Sequence, residues 1–244
     1  MAVYTNTNML LLVDGIVLSG FAKMVEHTAT VDVLDVTTVD SVGWRKKVPG
    51  LAMHSLAVDG FADFDAATGL DPFLQGTGTG QNAVTFAPIN GGAAIADVAY
   101  LFTGRTTSRT PLTGSVGEAA GFAALWAGDG RTVRGQVIHP VAARTTTANG
   151  TATTFTAPTA TQSLWASFHV VSVSGAGTIT FTVQTDDNAG MTTPTTRITS
   201  NGFTAVGGQV ASLAGALTGE THIRVNWTIA GFTSVTFAVA AGTN

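Results

Sequence analysis

The chain has no cysteine, which excludes disulfide scaffolds, thiol nucleophiles and cysteine-ligated zinc and leaves its redox compartment unread. Charge is scarce as well: Asp, Glu, Lys and Arg make up 11% of 244 residues, against roughly 25% in an average soluble domain. Tyrosine occurs only at Tyr4 and Tyr100, too sparse for the aromatic girdles of a transmembrane barrel. The most apolar stretch near the start, residues 9–13, is broken at Asp14. A spanning helix needs about 20 apolar residues, and a signal peptide needs a basic start and a small-residue cleavage site. The stretch reads as neither. No membrane-spanning segment is expected.

What remains is 45% hydrophobic, with the surplus in Thr, Ala, Gly and Val, a composition that suits strands and tight turns. A chain so poor in charge hides much of its surface, and assembly is the simplest way to do so. The net charge of −4 argues against gripping phosphates by counterion release. Its length suffices for two modest domains, each with its own core. All three lysines, Lys23, Lys46 and Lys47, lie in the first quarter, and beyond Arg144 the only charged residues are Asp186, Asp187, Arg197, Glu220 and Arg224. This shift coincides with residues 139–150, rich in small polar residues, which read as a linker. The expected domains are therefore 1–143 and 144–244.

The second half has the clearest alternation. Ile179, Phe181 and Val183 alternate with threonines; Ile223, Val225, Trp227 and Ile229 alternate with His222, Arg224, Asn226 and Thr228; Val235, Phe237 and Val239 alternate with Ser234, Thr236 and Ala238. Period two, with turn signals between the runs, predicts an antiparallel sandwich whose strands each keep one wet face. The first half is β as well, read as a small barrel or sandwich with one short helix over residues 65–75 and strands at 83–88, 97–104 and 120–126. Its most telling part is residues 31–63, two half-buried strands joined by a basic turn at Trp44-Arg45-Lys46-Lys47-Val48-Pro49-Gly50. After the turn, Leu56 and Val58 alternate with Ala57 and Asp59 before Phe61. The acids around the turn (Asp32, Asp35, Asp40, Asp59, Asp63, Asp65) make Arg45, Lys46 and Lys47 a subunit contact rather than a DNA-binding patch.

Catalytic and metal signatures are missing. His27, His54, His139, His169 and His222 show no His-x-x-x-His or His-x-His spacing, and they read as strand-face or turn residues. Residues 186–190, Asp-Asp-Asn-Ala-Gly, lack the alternating spacing and closing Glu of a calcium loop and read as a turn. The glycine run at 76–80 has no Walker lysine and no strand leading into it, so it reads as a flexible loop. No Gly-x-Ser-x-Gly elbow or triad neighbourhood occurs. The expectation is a protein that is not an enzyme, with no catalytic, metal or cofactor-binding residues.

Residues 44–50 with the following Leu51-Ala52-Met53-His54-Ser55-Leu56-Ala57-Val58-Asp59-Gly60-Phe61-Ala62-Asp63 resemble the tail tube, or major tail, proteins of long-tailed bacteriophages. Residues 114–122 and 131–139 resemble the closing part of that domain. Residues 165–175, 184–188, 195–199 and 224–228 resemble the sandwich appended to some of its members. The resemblance implies a tail-tube-like first domain and an outward-facing decorating second domain, assembled as hexameric rings that stack into a tube in the virion. It also implies the host cytoplasm as the place of synthesis, tape-measure and tail-terminator proteins as partners, and DNA passing through the lumen without specific binding. Trp44, Arg45, Lys46, Lys47, Leu56, Val58 and Phe61, in the hairpin and its turn, are the candidate inter-subunit residues. A glycan-binding adhesin, with Trp165 and Trp227 as aromatic platforms, is the alternative, although Trp227 lies in phase with apolar neighbours. A depolymerase would need a carboxylate pair that the acid-poor second half hardly offers.

Overall fold

A computed structural model describes residues 8–38, 44–65, 70–76 and 80–244. The elements run β1 Leu10–Val13, β2 Ile16–Val17, β3 Ala22–Asp35, β4 Lys47–Phe61, α1 Leu70–Gly76, β5 Asn82–Ala87, β6 Val98–Thr113, β7 Gly121–Arg144, β8 Ala148–Asn149, β9 Thr153–Thr154, β10 Ser163–Ser174, β11 Thr178–Asp186, β12 Thr195–Thr199, β13 Gly207–Ala214, β14 His222–Ala230 and β15 Ser234–Thr243. The protein is all-β with one minor helix, built on antiparallel sheets. Contacts divide it into two compact units: Met1–Phe21, Gln81–Thr103 and Thr132–Asn244 form one, Ala22–Gly80 and Gly104–Arg131 the other. β6 and β7 contribute a segment to each, and Arg144, where the charge pattern changes, is the last residue of β7.

The first unit is a sandwich. One sheet carries β13-β10-β15-β7 and continues to β6, β5, β1 and β2; the other has the order β12-β11-β14-β8, with β9 also on β14. Alternation dictates what lies between them. Leu164, Ala166, Phe168 and Val170 of β10 and Val235, Phe237, Val239 and Ala241 of β15 meet Ile179, Phe181 and Val183 of β11 and Ile223, Val225 and Trp227 of β14 in one apolar core. Phe181 stacks on Phe168 with ring centroids 5.5 Å apart, and Trp227 meets Phe237 edge-on at 5.2 Å. The residues of opposite phase on the larger sheet are not wet, contrary to the sequence expectation. Ala238 and Ala240 of β15 join Leu10, Leu12, Leu101 and Val137 in a second core, so β15 is covered on both faces. Small Ala side chains suit the inside of a strand packed on two sides.

The β1–β2 hairpin turns on Asp14 (φ +46°) and Gly15 (φ +83°). Positive φ at both central residues matches the right-handed strand twist, and Asp-Gly is the dipeptide that tolerates it.

In the second unit β3, β4, β7 and β6 form an open sheet, and no closed barrel exists among the described residues. Leu56 and Val58 of β4 lie opposite Trp126 and Ala124 of β7, and all four are buried. Helix α1 buries Leu70 and Leu74, and the Arg109 guanidinium of β6 donates to the Leu74 carbonyl near its end. Residues 66–69, the middle of the expected helix start, and residues 77–79 of the glycine run lie outside the described residues.

Three sequence expectations about punctuation are corrected. The basic turn expected over 44–50 is strand from Lys47 onward, with Asp35 opposite Lys47 and Val33 opposite Pro49. Residues 139–144, expected to begin a linker, complete β7 and pair with β15. Strands β6 and β7 reach Thr113 and Arg144, well past the expected ends at 104 and 126. Proline explains much of this. Pro49 sits beside a register shift between Val31 and Val33, and Pro140 lies opposite shifts around Val239. A bulge is a place where a strand can hold a residue with no N–H to give.

Candidate functional site

The β3–β4 hairpin has a dry base and a bare outer half. At the base, Leu56 and Val58 are 0% exposed, and His54 is tucked beside Gly128, where an added Cβ would run into the imidazole. His27 and His54 face each other across the strands, ring centroids 5.6 Å apart. Burial holds both below the ordinary histidine pKa, and for His54 the neighbouring His27 adds to the effect. Gly128→Ala is expected to lower the melting temperature by several degrees, since overpacking a filled site costs about 1–3 kcal/mol. An unchanged melting temperature would show that the His54 ring is free to move aside.

Outward from Met53 the picture inverts. Val31, Val33, Leu34, Val48, Leu51 and Met53 are all exposed, Leu51 by 80% and Met53 by 60%, and Trp44 beyond them by 81%. Apolar side chains occupy both phases of the ribbon, so neither face is wholly polar. The free side of β3 bonds no further strand among the described residues. A ribbon of two strands is marginal in water by itself, and an unpaired strand side is a template for another chain. Charge caps its far end. Asp35 lies opposite Lys47, and its carboxylate accepts from the Thr37 N–H at 2.9 Å and from the Thr37 hydroxyl. Those bonds hold its pKa below the usual carboxylate value, the hydroxyl most of all. The Lys46 N–H donates to the Thr37 hydroxyl at 3.0 Å and the Val36 N–H to the Lys46 carbonyl at 2.9 Å. Residues 39–43 between them lie outside the described residues.

The candidate contact residues thus fall in three places. Trp44, Arg45, Lys46 and Lys47 stand at the outer end; Leu56 and Val58 are interior residues that anchor the base; Phe61 is 53% exposed at the last position of β4, beside a cleft of about 200 Å³ lined by Lys23, Asp59, Thr113 and Phe122. Sequence reading missed Val31, Val33, Leu34, Leu51 and Met53 as surface. The signal was there: apolar residues at both odd and even positions of a hairpin cannot all face one core.

Elsewhere, hydrogen bonds tie turns and strands together. No group of three or more metal-ligating side chains exists among the described residues. The Asp186 carboxylate accepts from the Asn188 N–H at 3.1 Å and the Thr193 N–H at 2.9 Å, which makes residues 186–190 an Asx-type turn. Trp227 is 3% exposed and donates its indole N–H to the Thr146 carbonyl at 2.9 Å. A cleft of about 280 Å³ is bordered by Arg134, Gln136, Phe155 and Thr243; within it Gln136 donates to the Thr154 carbonyl and Thr243 to the Thr156 carbonyl. None of the described helices is long and apolar enough to cross a membrane.

No protein-family model and no curated protein sequence matches the chain. Among solved structures it is similar to a protein of the tail of an empty gene transfer agent particle, at 18% identity over 53% of this chain and 97% of that one, with a TM-score of 0.41. A protein of an extracellular contractile injection system, described as the sheath/tube terminator in the extended state, is 14% identical over 55% of this chain and 97% of that one, TM-score 0.44. The Dit protein of phage SPP1 is 12% identical over 97% of this chain and 99% of that one, TM-score 0.35. At such identities and TM-scores these likenesses assign nothing to the chain, and its own residues carry the functional reading.

Proposed function

We propose that the chain is a structural protein of a phage-type virion tail that assembles with copies of itself into stacked hexameric rings forming the tail tube, the conduit for genome delivery. The observation that carries the reading is the outer half of the hairpin, an apolar ribbon bare on both faces. A monomeric protein seldom exposes so many large apolar side chains on one ribbon. A neighbouring subunit covers it in this reading, with Trp44, Arg45, Lys46 and Lys47 at the contact, Leu56 and Val58 holding the ribbon in place, and Phe61 at its root. The sequence resemblance of residues 44–63 to tail tube proteins supports the same assignment. Head-to-tail contacts of one kind close into rings when the rotation permits. Residues 1–143 act as the tube-forming part, and residues 144–244 decorate the tube. The lumen passes DNA without specific binding, as suits a chain of net charge −4. Tape-measure and tail-terminator proteins are the further partners, and the role is structural rather than catalytic. The buried Trp227 favours this reading over a glycan-binding adhesin.

Sedimentation velocity and negative-stain microscopy of the purified protein over a range of concentrations test the proposal. Species far heavier than 24.8 kDa, seen as rings or tubes, are expected. A monomer at every concentration, together with absence of the protein from particle tails, would overturn it.

A further inference from the structure

His169 lies in the middle of β10, 0% exposed, in the phase that faces the second core rather than the sandwich core. Its Nδ1 accepts the Gly15 N–H at 3.2 Å. That acceptance places the imidazole proton on Nε2, which stands 2.9 Å from the Thr85 hydroxyl of β5. The Thr85 hydroxyl in turn donates to the Ser167 hydroxyl at 2.7 Å. One proton arrangement satisfies the whole chain, and it needs the neutral ring.

The turn that His169 holds is seated closely. A Cβ on Gly15 would strike the Val170 carbonyl, and one on Gly208 would come within 2.8 Å of the Asp14 Cα, so the β1–β2 turn rests directly on β10 and β13. The charged or titratable groups around it are few. On the turn, Asp14 spends its carboxylate on Asn82 Nδ2 at 2.6 Å and on the Ala83 N–H at 2.7 Å. From β7, His139 borders the same small cavity as His169 and accepts the Arg144 Nε–H at 3.1 Å. The nearby residues on the other packed strands, Thr85 of β5, Gly208 of β13 and Ala238 of β15, carry no ionisable group.

We propose that His169 is an acid-operated latch: protonating its ring removes the acceptor that holds Gly15 and releases the β1–β2 turn and β5 while the sandwich core stays closed. Nothing in this rests on the tail-tube reading.

The direction follows from linkage. Burial pushes His169 from the ordinary 6.5 down to about 3, so the closed form binds its proton later than an open form does. The latch is therefore fully held above about pH 6.5 and weakens progressively as pH falls towards 3. His139, lowered to about 4 by burial and by Arg144, stacks on Phe237 and accepts from Arg144 rather than from Gly15, so it is no part of the latch. Asp14 works the other way: burial raises its pKa, so protonating it in acid relieves a cost of the closed form.

Hydrogen exchange of the full chain, corrected for intrinsic rates, tests the latch between neutral pH and about pH 4.5. Residues 10–17 and 82–87 are expected to lose protection by about tenfold or more, the scale of one pKa unit, while 178–186 and 222–230 keep theirs. His169→Gln should abolish the step, and His139→Gln should leave it. Should His169→Gln fail to fold, the pH dependence of the unaltered protein decides the matter: protection of residues 10–17 and 82–87 must begin to fall as pH drops through about 6.5, while the ring resonances of the closed form still report the neutral imidazole. A uniform loss of protection, a step surviving in His169→Gln, or protection that stays flat from neutral pH to about pH 4.5 would each overturn the proposal.

Discussion

Leu56→Asp and Val58→Asp are each expected to abolish the folded hairpin unit. Both side chains are 0% exposed and lie opposite Trp126 and Ala124, also buried, so a carboxylate there has no water and no partner. Burying an unpaired charge costs several kcal/mol, a large share of the roughly 5–15 kcal/mol that hold a domain together. Asp59→Asn, one residue along and on the other face, should shift the melting temperature by no more than a degree or two. Thermal unfolding followed by circular dichroism checks all three. Equal tolerance would mean that β4 carries its dry face on the opposite phase.

The second large effect separates assembly from folding. Leu51 and Met53 share a strand face at i, i+2 and are the most exposed apolar side chains of β4. Leu51→Lys with Met53→Lys should leave the melting temperature nearly unchanged, because neither residue touches a core. Burial of each at a subunit contact is worth about 1.5–3 kcal/mol, so losing both should weaken self-association by about a hundredfold or more. Sedimentation over a dilution series measures this directly. Unaltered association would place the contact elsewhere on the molecule.

The all-β class was legible because its signal is local. Residues 178–183, 222–229 and 234–239 each announce a strand by alternation, and β11, β14 and β15 lie there. Alternation does not say which sheet a strand joins, and β15 turned out to lie in a different sheet from β11 and β14. Nor does it show where a long strand ends. β6 continues through Arg105-Thr106-Thr107-Ser108-Arg109 on the strength of backbone bonding, for which the side-chain pattern gives no cue. Two prolines misled in the same way: Pro49 and Pro140 both lie within strands, and the bulges beside them are invisible in one sequence. The candidate site was legible only in outline. Residues 44–61 stood out as a candidate contact, but that Leu56 and Val58 pack inside the subunit against Trp126 and Ala124 follows from the register of β4 on β7, which one sequence does not give. The His169 chain could not have been found locally, since its partners Gly15 and Thr85 stand 154 and 84 residues away.

The position of β15 bears on how the protein comes into being on the ribosome. Every other strand precedes it in the sequence, yet it lies between β10 and β7, bonded on both sides. Until residues 234–243 have been synthesised, β10 and β7 have an empty slot between them, and both cores that β15 fills stay open. The hairpin unit, by contrast, has all of its residues by Arg131. Its local β3–β4 pairing can form on the nascent chain, while the sandwich waits for a contact of high sequence separation, the kind that closes slowly. A nascent chain thus presents a finished apolar ribbon for the time taken to translate more than a hundred further residues, at about 5–20 residues per second. Interrupted translation would leave that ribbon attached to an unclosed sandwich, a species for chaperones and proteases to remove.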